Sequence, residues 1–559
     1  MSSSIEKGTS SLNSEATDLE RSAQPVSTFA GGRVHRVKEL NKEGNAVQEV
    51  RSAALVVATQ SEHKTATWSR AALVMYYCIF VSFLGSCANG YDGSLMNAIN
   101  GMATYQAKFE SGKLGATTGI IFAIYTVGNM AGAFVSGPLA DRWGRRVGMF
   151  VGSLIIIIGS VIVTSAETRG QFIAGRFILG FGIAPVTCAC PSYCVEIAPP
   201  AWRGRATGFY NCGWFGGSIP AAAITLGTSY MTTDWAWRLP LLFQCFPAIV
   251  VCLSVFFLPE SPRWLIANDR DDEARAILVR YHGNGDPASP LVELEWAEMK
   301  ADISTTGSDK TWWDYRDLFR NKNTRWRTFM VLTMGIFGQF SGNGLGYFNV
   351  VIYESLGYGS IQQFVLNLVN SITSAIGAGG GVAVADRASR RPILIWGTLG
   401  CAALLGIHGA LSETWGKMEI GQQDLNIGRA AVAFFFLFNI LYSATYSPLQ
   451  ALYPVECLHT NTRAKGMSLY AFTVSAVGFI NAYAGPIGLK NMGNHYIFIF
   501  VAWDCVEALW WYFFCVETQG RTLEELEEIF SAARPVAASQ AKKRVVVQEG
   551  GNVLVESEK

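Results

Sequence analysis

Charge is scarce in this chain. Only 16% of its 559 residues are Asp, Glu, Lys or Arg, against about 25% in an average soluble domain. The 44 basic and 43 acidic side chains leave a formal net charge of +1, so no basic field exists to hold nucleic acid, and none is expected as a partner. No GxxxxGK[ST] phosphate loop occurs, which leaves ATP-driven transport without a nucleotide site. The twelve cysteines fall mostly inside apolar runs, as Cys78, Cys87, Cys212, Cys252 and Cys505 do. They fit small buried hydrophobes rather than a disulfide framework. Cys188, Cys190 and Cys194 lie close together, but no nearby histidine completes a metal site, so neither metal nor cofactor is expected. No cleavable signal pattern opens the chain either, because residues 1–69 are polar and rich in Ser, Glu and Lys.

Apolar sequence fills the space that charge leaves. Half of the chain is hydrophobic, 50% by count, and mean hydropathy is +0.23. A membrane-crossing helix needs about 20 mainly apolar residues, and about twelve such runs can be placed. They lie near 70–99, 116–140, 147–166, 172–191, 206–228, 237–258, 329–355, 364–385, 393–411, 430–454, 467–489 and 495–515. The predicted fold class is therefore an all-α membrane protein of twelve transmembrane helices.

One charged signature occurs twice, each time in a short gap after a glycine-rich apolar run. The copies are Asp141-Arg142-Trp143-Gly144-Arg145-Arg146 and Asp386-Arg387-Ala388-Ser389-Arg390-Arg391. A single copy would be an ordinary solvated turn. Two copies, half a chain apart, indicate a duplicated membrane unit, and duplicated halves around a central pathway are how secondary transporters are built. The expected organisation is a disordered cytoplasmic tail (1–69), a six-helix half (70–258), a helical linker (259–328), a second six-helix half (329–515) and a cytoplasmic tail (516–559), disordered past about 535. Arg142, Arg145, Arg146, Arg203, Arg205, Arg387, Arg390, Arg391, Arg463 and Lys465 crowd the gaps of one side. The other side holds fewer cations, among them Lys108, Lys113, Arg169, Lys417 and Lys490. Positive loops stay in the cytoplasm, which puts both termini and the linker there.

Several ordered motifs resemble the sugar porter branch of the major facilitator superfamily, from Trp68 to Phe530. Gly90-Tyr91-Asp92-Gly93 lies in the first run, and Gly137-Pro138-Leu139-Ala140-Asp141-Arg142 leads into the first charged loop. Gly175-Arg176-Phe177 opens the fourth run; Glu196 and Arg203-Gly204 precede the fifth. Pro259-Glu260-Ser261-Pro262-Arg263-Trp264 follows the sixth, and Val516-Glu517-Thr518-Gln519-Gly520-Arg521-Thr522 closes the twelfth. Gly338-Gln339-Phe340-Ser341-Gly342-Asn343-Gly344 looks most like fungal lactose-permease-like members; the more usual pattern places the asparagine at the position of Gly344. The resemblance implies no enzyme but a monomeric sugar transporter of the fungal plasma membrane, with proton and membrane lipid as its other partners. A transporter of another small molecule, such as a polyol or secondary metabolite, and a non-transporting sugar sensor are the alternatives.

Site residues follow from the cost of polar groups in a span. Asp92 is an ionisable residue deep in the first run and so a functional candidate; the resemblance implies Arg176 as its partner and proton coupling as its role. The competing reading is a static buried pair. Asp504 and Glu507, three apart, share one helical face and should point into protein or a water-filled cavity with at least one of them protonated. For the substrate, the seventh run supplies Gln339, Asn343 and Tyr347, which at spacings of four share a helical face. The resemblance adds Asn211, where relatives use glutamine, and Gln450, next to Ala451 where many carry tryptophan. Tyr446 and Trp214 are then candidate ring platforms, and the missing bulk is compatible with a disaccharide such as lactose or cellobiose as well as a hexose. The alternative is that some of these amides only tie helices together by hydrogen bonds. Asp141, Arg145, Glu196 and Arg203 in one half, and Asp386, Arg390, Glu456 and Arg463 in the other, form the expected cytoplasmic gate. A purely topological role for the arginines is the alternative.

Overall fold

The computed structural model describes residues 68–110, 112–306, 315–385, 388–419, 424–459, 462–519, 523–540, 543–547 and 553–557. The expected N-terminal tail, apart from Trp68 and Ser69, lies outside them, as does Asp386.

Short connections separate long apolar helices, some of which start on a polar cap. Ser69 accepts the Ala72 amide and starts α1 (Arg70–Asn100); a short α2 (Ala103–Phe109) follows. Next come α3 (Ala116–Trp143), α4 (Arg145–Thr164) and α5 (Arg169–Ile197), the last capped by the Thr168 hydroxyl. α6 (Pro200–Thr228) and the consecutive α7 (Trp235–Phe243) and α8 (Cys245–Ser254) complete the first half. Three linker helices, α9 (Pro262–Ala267), α10 (Asp271–Tyr281) and α11 (Pro290–Thr306), lead to α12 (Lys322–Phe340) and α13 (Asn349–Ser355). The second half continues with α14 (Ser360–Ala385), α15 (Arg390–Lys417), α16 (Leu425–Cys457), α17 (Arg463–Met492) and α18 (His495–Phe514). Among the described residues ten helices are long and apolar enough to cross a membrane, α7 and α8 together giving one of them. The other two of the twelve segments are α6 and the interrupted stretch 322–355. Large apolar side chains such as Phe134, Phe246, Phe257, Ile376, Trp396 and Phe513 face outward, as a lipid-facing surface requires.

Packing repeats between the halves. In the first, α1 lies on α6 and α3 on α5; in the second, α12 lies on α17 and α14 on α16. The halves meet through α3 on α17 and α6 on α14. Exchanging the halves converts each of those two contacts into the other, the relation expected of a duplicated unit. Small residues make the close approaches possible: a side chain at Gly128 or Gly180 would run into the backbone of Phe177 or Tyr125 at the α3–α5 crossing. The linker has its own core of Leu265, Ile266, Ala274, Leu278, Val292 and Met299. It docks on the first half through His282, whose ring contacts Glu295 at 2.5 Å and the Ile197 carbonyl at 3.1 Å.

At the end away from the linker, side chains tie the halves together. Asn97 donates to Asn367 (3.0 Å) and accepts the Val350 amide (3.2 Å). Lys113 pairs with Glu354 at 2.5 Å, and the Phe122 and Phe348 rings lie 5.2 Å apart.

Further short elements follow α18. α19 (Leu523–Ser531) seats Leu526, Ile529 and Phe530 in the second half's core, and Arg327 holds Glu527 at 3.0 Å. α20 (Pro535–Gln540) follows. A separate terminal unit contains β1 (Lys543–Val547) paired antiparallel with β2 (Val553–Ser557), Lys543 opposite Ser557. The β-branched runs Val545–Val547 and Val553 with Val555 favour extended backbone over helix, which polar composition alone does not reveal.

Candidate functional site

Asp92 and Arg176 meet as expected. α1 and α5 bring Arg176 Nη1 to 2.5 Å from Asp92 Oδ1, with the two side chains only 2–3% exposed. Gln244 Nε2 donates to the same oxygen at 2.6 Å. Gln244 stands at the junction of α7 and α8, and its amide inside an apolar run was the signal that could have marked it. The Arg176 guanidinium lies 4.7 Å from the Tyr125 ring centre. Neighbouring Tyr91 donates to the Pro240 carbonyl at 2.9 Å and fixes α1 against α7. Asp92 Oδ2 and Arg176 Nε are buried with no hydrogen-bond partner among the described residues. The Arg176 and Gln244 bonds both go to one carboxylate oxygen, and the Tyr125 hydroxyl stands beside the group. Tyr347, from the other half, reaches into this electrostatic neighbourhood and packs on the first half's core.

The substrate candidates do not share one helical face. α12 ends at Phe340, Gly342 adopts φ +79, and a 3-10 turn runs over Asn343–Phe348 before α13. The left-handed glycine, inexpensive only for that residue, redirects the chain, so Gln339 lies before the break and Asn343 and Tyr347 after it. Gln339 and Asn343 are half-buried, and the Gln339 carbonyl accepts Asn481 Nδ2 at 2.6 Å. Gln450 follows the interhelical alternative: its amide donates to the Gly338 carbonyl (3.1 Å) and the Tyr442 hydroxyl (3.0 Å). Asn211 is exposed on α6. Trp214 is 38% exposed, with its ring packed over Gly93. Tyr446 is wholly buried and bonded to Thr398 at 2.7 Å, which removes it as a platform. Tyr442 and Asn481, absent from the sequence reading, bracket the break from α16 and α17.

The charged loops form duplicated clusters, each within its own half. Arg145 grips Glu196 with two bonds of 3.0 Å and reaches Asp141 at 3.1 Å. Arg390 grips Glu456 at 3.3 and 2.8 Å. Glu196 accepts the Ser261 hydroxyl, as Glu456 accepts that of Thr518 at 2.6 Å. Glu517 takes the Arg390 and Arg391 amides at 2.9 and 3.1 Å, a carboxylate capping the start of α15. Glu260 sits against Gly144 in the corresponding place, and burial pushes its carboxyl up. Tyr193 donates to the Pro259 carbonyl (2.8 Å) where Tyr453 donates to that of Val516 (3.0 Å). Arg203 lies in the first turn of α6. Arg463 makes no ion pair among the described residues, and its Nε is buried without a partner.

Twelve segments in two repeated halves, with a buried ion pair between spans and matched charge clusters at one end, define a multi-pass membrane transporter of the major facilitator fold. Sequence comparison names the family: the sugar (and other) transporter model matches residues 77–530, and the chain belongs to that family. A high-affinity glucose transporter of Kluyveromyces lactis is 28% identical over 477 residues, covering 82% of this chain and 85% of its own. The MFS-type transporter criB of Aspergillus cristatus is 28% identical over 473 residues, 84% of this chain and 96% of its own. A quinate permease of Neurospora terricola is 26% identical, covering 82% of this chain and 88% of its own. The proton:xylose symporter XylE bound to 6-bromo-6-deoxy-D-glucose shares the fold with a TM-score of 0.67 at 20% identity, over 82% of this chain and 99% of that one.

Proposed function

We propose that this protein imports a sugar across the plasma membrane by proton symport, with both termini in the cytoplasm. The observation that carries the reading is the buried Asp92–Arg176 pair, neighboured by Tyr347 of the other half. A carboxylate held by one cation and one amide can take a proton when the arginine withdraws, and Tyr347 of the other half, next to the pair, links that withdrawal to movement between the halves. Glucose transport by the Kluyveromyces relative supports a sugar substrate. The lactose-permease-like segment around Asn343 and the exposed Asn211 are compatible with a disaccharide. The quinate permease relative favours a second reading, a small polyhydroxylated acid.

Labelled glucose, lactose, cellobiose and quinate offered to yeast lacking its own sugar transporters, with and without a protonophore, test the assignment. Protonophore-sensitive accumulation of a sugar is expected; accumulation of quinate alone overturns the sugar reading. Gln339→Ala and Asn343→Ala are each expected to raise the apparent KM about tenfold or more, equivalent to about 1.4 kcal/mol of lost binding, with surface expression unchanged. Wild-type kinetics in both variants would move the site away from the break.

The duplicated clusters serve as the cytoplasmic gate. Glu456→Ala removes the carboxylate that Arg390, 8% exposed, grips at 2.8 Å, while Glu456 itself is 25% exposed. A cost of about 1–3 kcal/mol to the state that holds the pair follows, below the figure for a fully buried pair. The variant is expected to favour the inward-open state and slow net uptake while remaining in the membrane. Thiol labelling of a cysteine at half-buried Ala388 reads the change; unaltered labelling with normal uptake would leave these charges a topological role only.

A further inference from the structure

Two carboxyl groups in α18 are not used by any step above. Asp504 and Glu507 are both 0% exposed, one turn apart on the face that α18 turns toward α15 and the break after α12. Neither Asp504 oxygen makes a well-formed hydrogen bond among the described residues, and Glu507 Oε1 makes none, although the Ser341 hydroxyl stands beside Asp504 and Trp503 beside Glu507. No lysine or arginine among the described residues pairs with either acid. The titratable groups facing them are Cys401 from α15 and Tyr442 and Tyr446 from α16; α12 contributes the Ser341 hydroxyl. His408, further along α15, is turned to the Ala431 carbonyl at 2.9 Å. Two carboxylates cannot be buried side by side without a cation at any tolerable cost, so the pair carries at least one proton.

The hydrogen bonds around Glu507 point the same way by simple counting. Ser341 Oγ contacts both the Phe337 carbonyl (2.9 Å) and Glu507 Oε2. Thr398 Oγ1 contacts the Leu394 carbonyl (2.6 Å) and the Tyr446 hydroxyl (2.7 Å). Tyr446 in turn contacts Glu507 Oε2 (3.1 Å) and accepts Trp511 Nε1 (3.3 Å). A hydroxyl has one hydrogen to donate. Ser341, Thr398, Tyr446 and Trp511 therefore bring one hydrogen each to a network with more contacts than hydrogens. A hydrogen on Glu507 Oε2, donated to Ser341 Oγ, supplies one of the missing ones and frees the serine for the Phe337 carbonyl.

We propose that Asp504 and Glu507 form a second proton-binding site, in the C-terminal half, whose proton is held in this conformation and exchanged with water when the break after α12 moves. Ser341 immediately precedes Gly342 and Asn343, so the contact that the acid proton completes lies on the hinge of the segment. Tyr446 stacks on Tyr442 with ring centres 5.3 Å apart, and Tyr442 donates to the Gly338 carbonyl before the break. Displacing Ser341 removes the acceptor of the proton and opens the buried pair to water, which takes it. The timing of exchange rests on the transport reading; the presence of the proton does not.

Infrared spectroscopy of the full-length protein in lipid vesicles tests the site without a transported substrate. Wild type is expected to show the carbonyl stretch of neutral carboxylic acids, with a component missing in Glu507→Gln and another shifted or missing in Asp504→Asn. That signal is expected to fade as pH rises, and to fade at lower pH in Ser341→Ala, which keeps both acids and removes the contact. Spectra identical in wild type and all three variants overturn the proposal, and so does an acid signal unchanged at every pH at which the protein stays folded. A titrating signal in a protein that moves no sugar would defeat the transport reading alone. Uphill sugar accumulation with a fixed signal would defeat this inference alone.

Discussion

Asp92→Asn is expected to abolish accumulation of substrate against a gradient while exchange down a gradient persists. The amide keeps the shape of the carboxyl and can still accept from Gln244, now 2.6 Å from Oδ1, but it cannot take up or release a proton. Arg176, 3% exposed, then loses its counter-charge. Removing one partner of a buried pair costs about 3–5 kcal/mol when nothing replaces it. The remaining amide dipole and the Tyr125 face, 4.7 Å from the guanidinium, soften that loss. The variant should therefore reach the membrane in reduced but measurable amount. The ratio of internal to external label at steady state, normalised to surface protein, is the decisive quantity. It should fall to about one in the variant, since a carrier without coupling equilibrates its substrate and does no more. Accumulation at the wild-type ratio would leave Asp92–Arg176 a static tie between α1 and α5.

The pair itself was legible because both members break the rule that charge avoids spans, and the motifs around them fix their order. The charge clusters were legible for a related reason: the same residues recur in both halves, so that Glu196 and Glu456 identify one another. Asp504 and Glu507 were legible as buried, again from the cost of charge, but their neighbours were not. Ser341 and Tyr446 are ordinary polar residues of other helices, and only packing brings them together. The face of Gln339, Asn343 and Tyr347 was misjudged because spacing by four presumes an unbroken helix. One glycine at φ +79 cancels that presumption. Gln450 and Tyr446 illustrate the ambiguity of polar groups in spans: one ties helices through Gly338, the other joins a buried network. Gln244 is a lone neutral amide in an apolar run, a weaker mark than a charge in a span.

Contacts between the halves left no trace in the sequence, since neither member of Lys113–Glu354 or Asn97–Asn367 predicts the other. Their energetics make a ranked prediction. Asn97 and Asn367 are each 3% exposed, and Asn97→Ala removes two bonds across the halves and strands the Val350 amide and the Asn367 carbonyl oxygen. Each buried bond contributes about 0.5–1.5 kcal/mol net, so the state closed at this end should lose about 1–3 kcal/mol. That is a shift of about 5–150-fold in the closed-to-open ratio, since the open state never makes these bonds. Lys113→Ala removes a shorter contact, 2.5 Å, but its members are 30% and 40% exposed. Solvent and salt reduce such a pair to about 0–1 kcal/mol, at most roughly a fivefold shift. The longer, buried bonds should therefore outweigh the short ion pair. Spin labels at Glu110 and Ser355, both exposed and one on each half, read the separation of the halves at this end, with the exposed thiols Cys212 and Cys505 replaced. Asn97→Ala is expected to populate a longer distance strongly, and Lys113→Ala weakly and less so at high salt. The reverse ranking would mean that the closed end is held by charge and that the buried amides only follow.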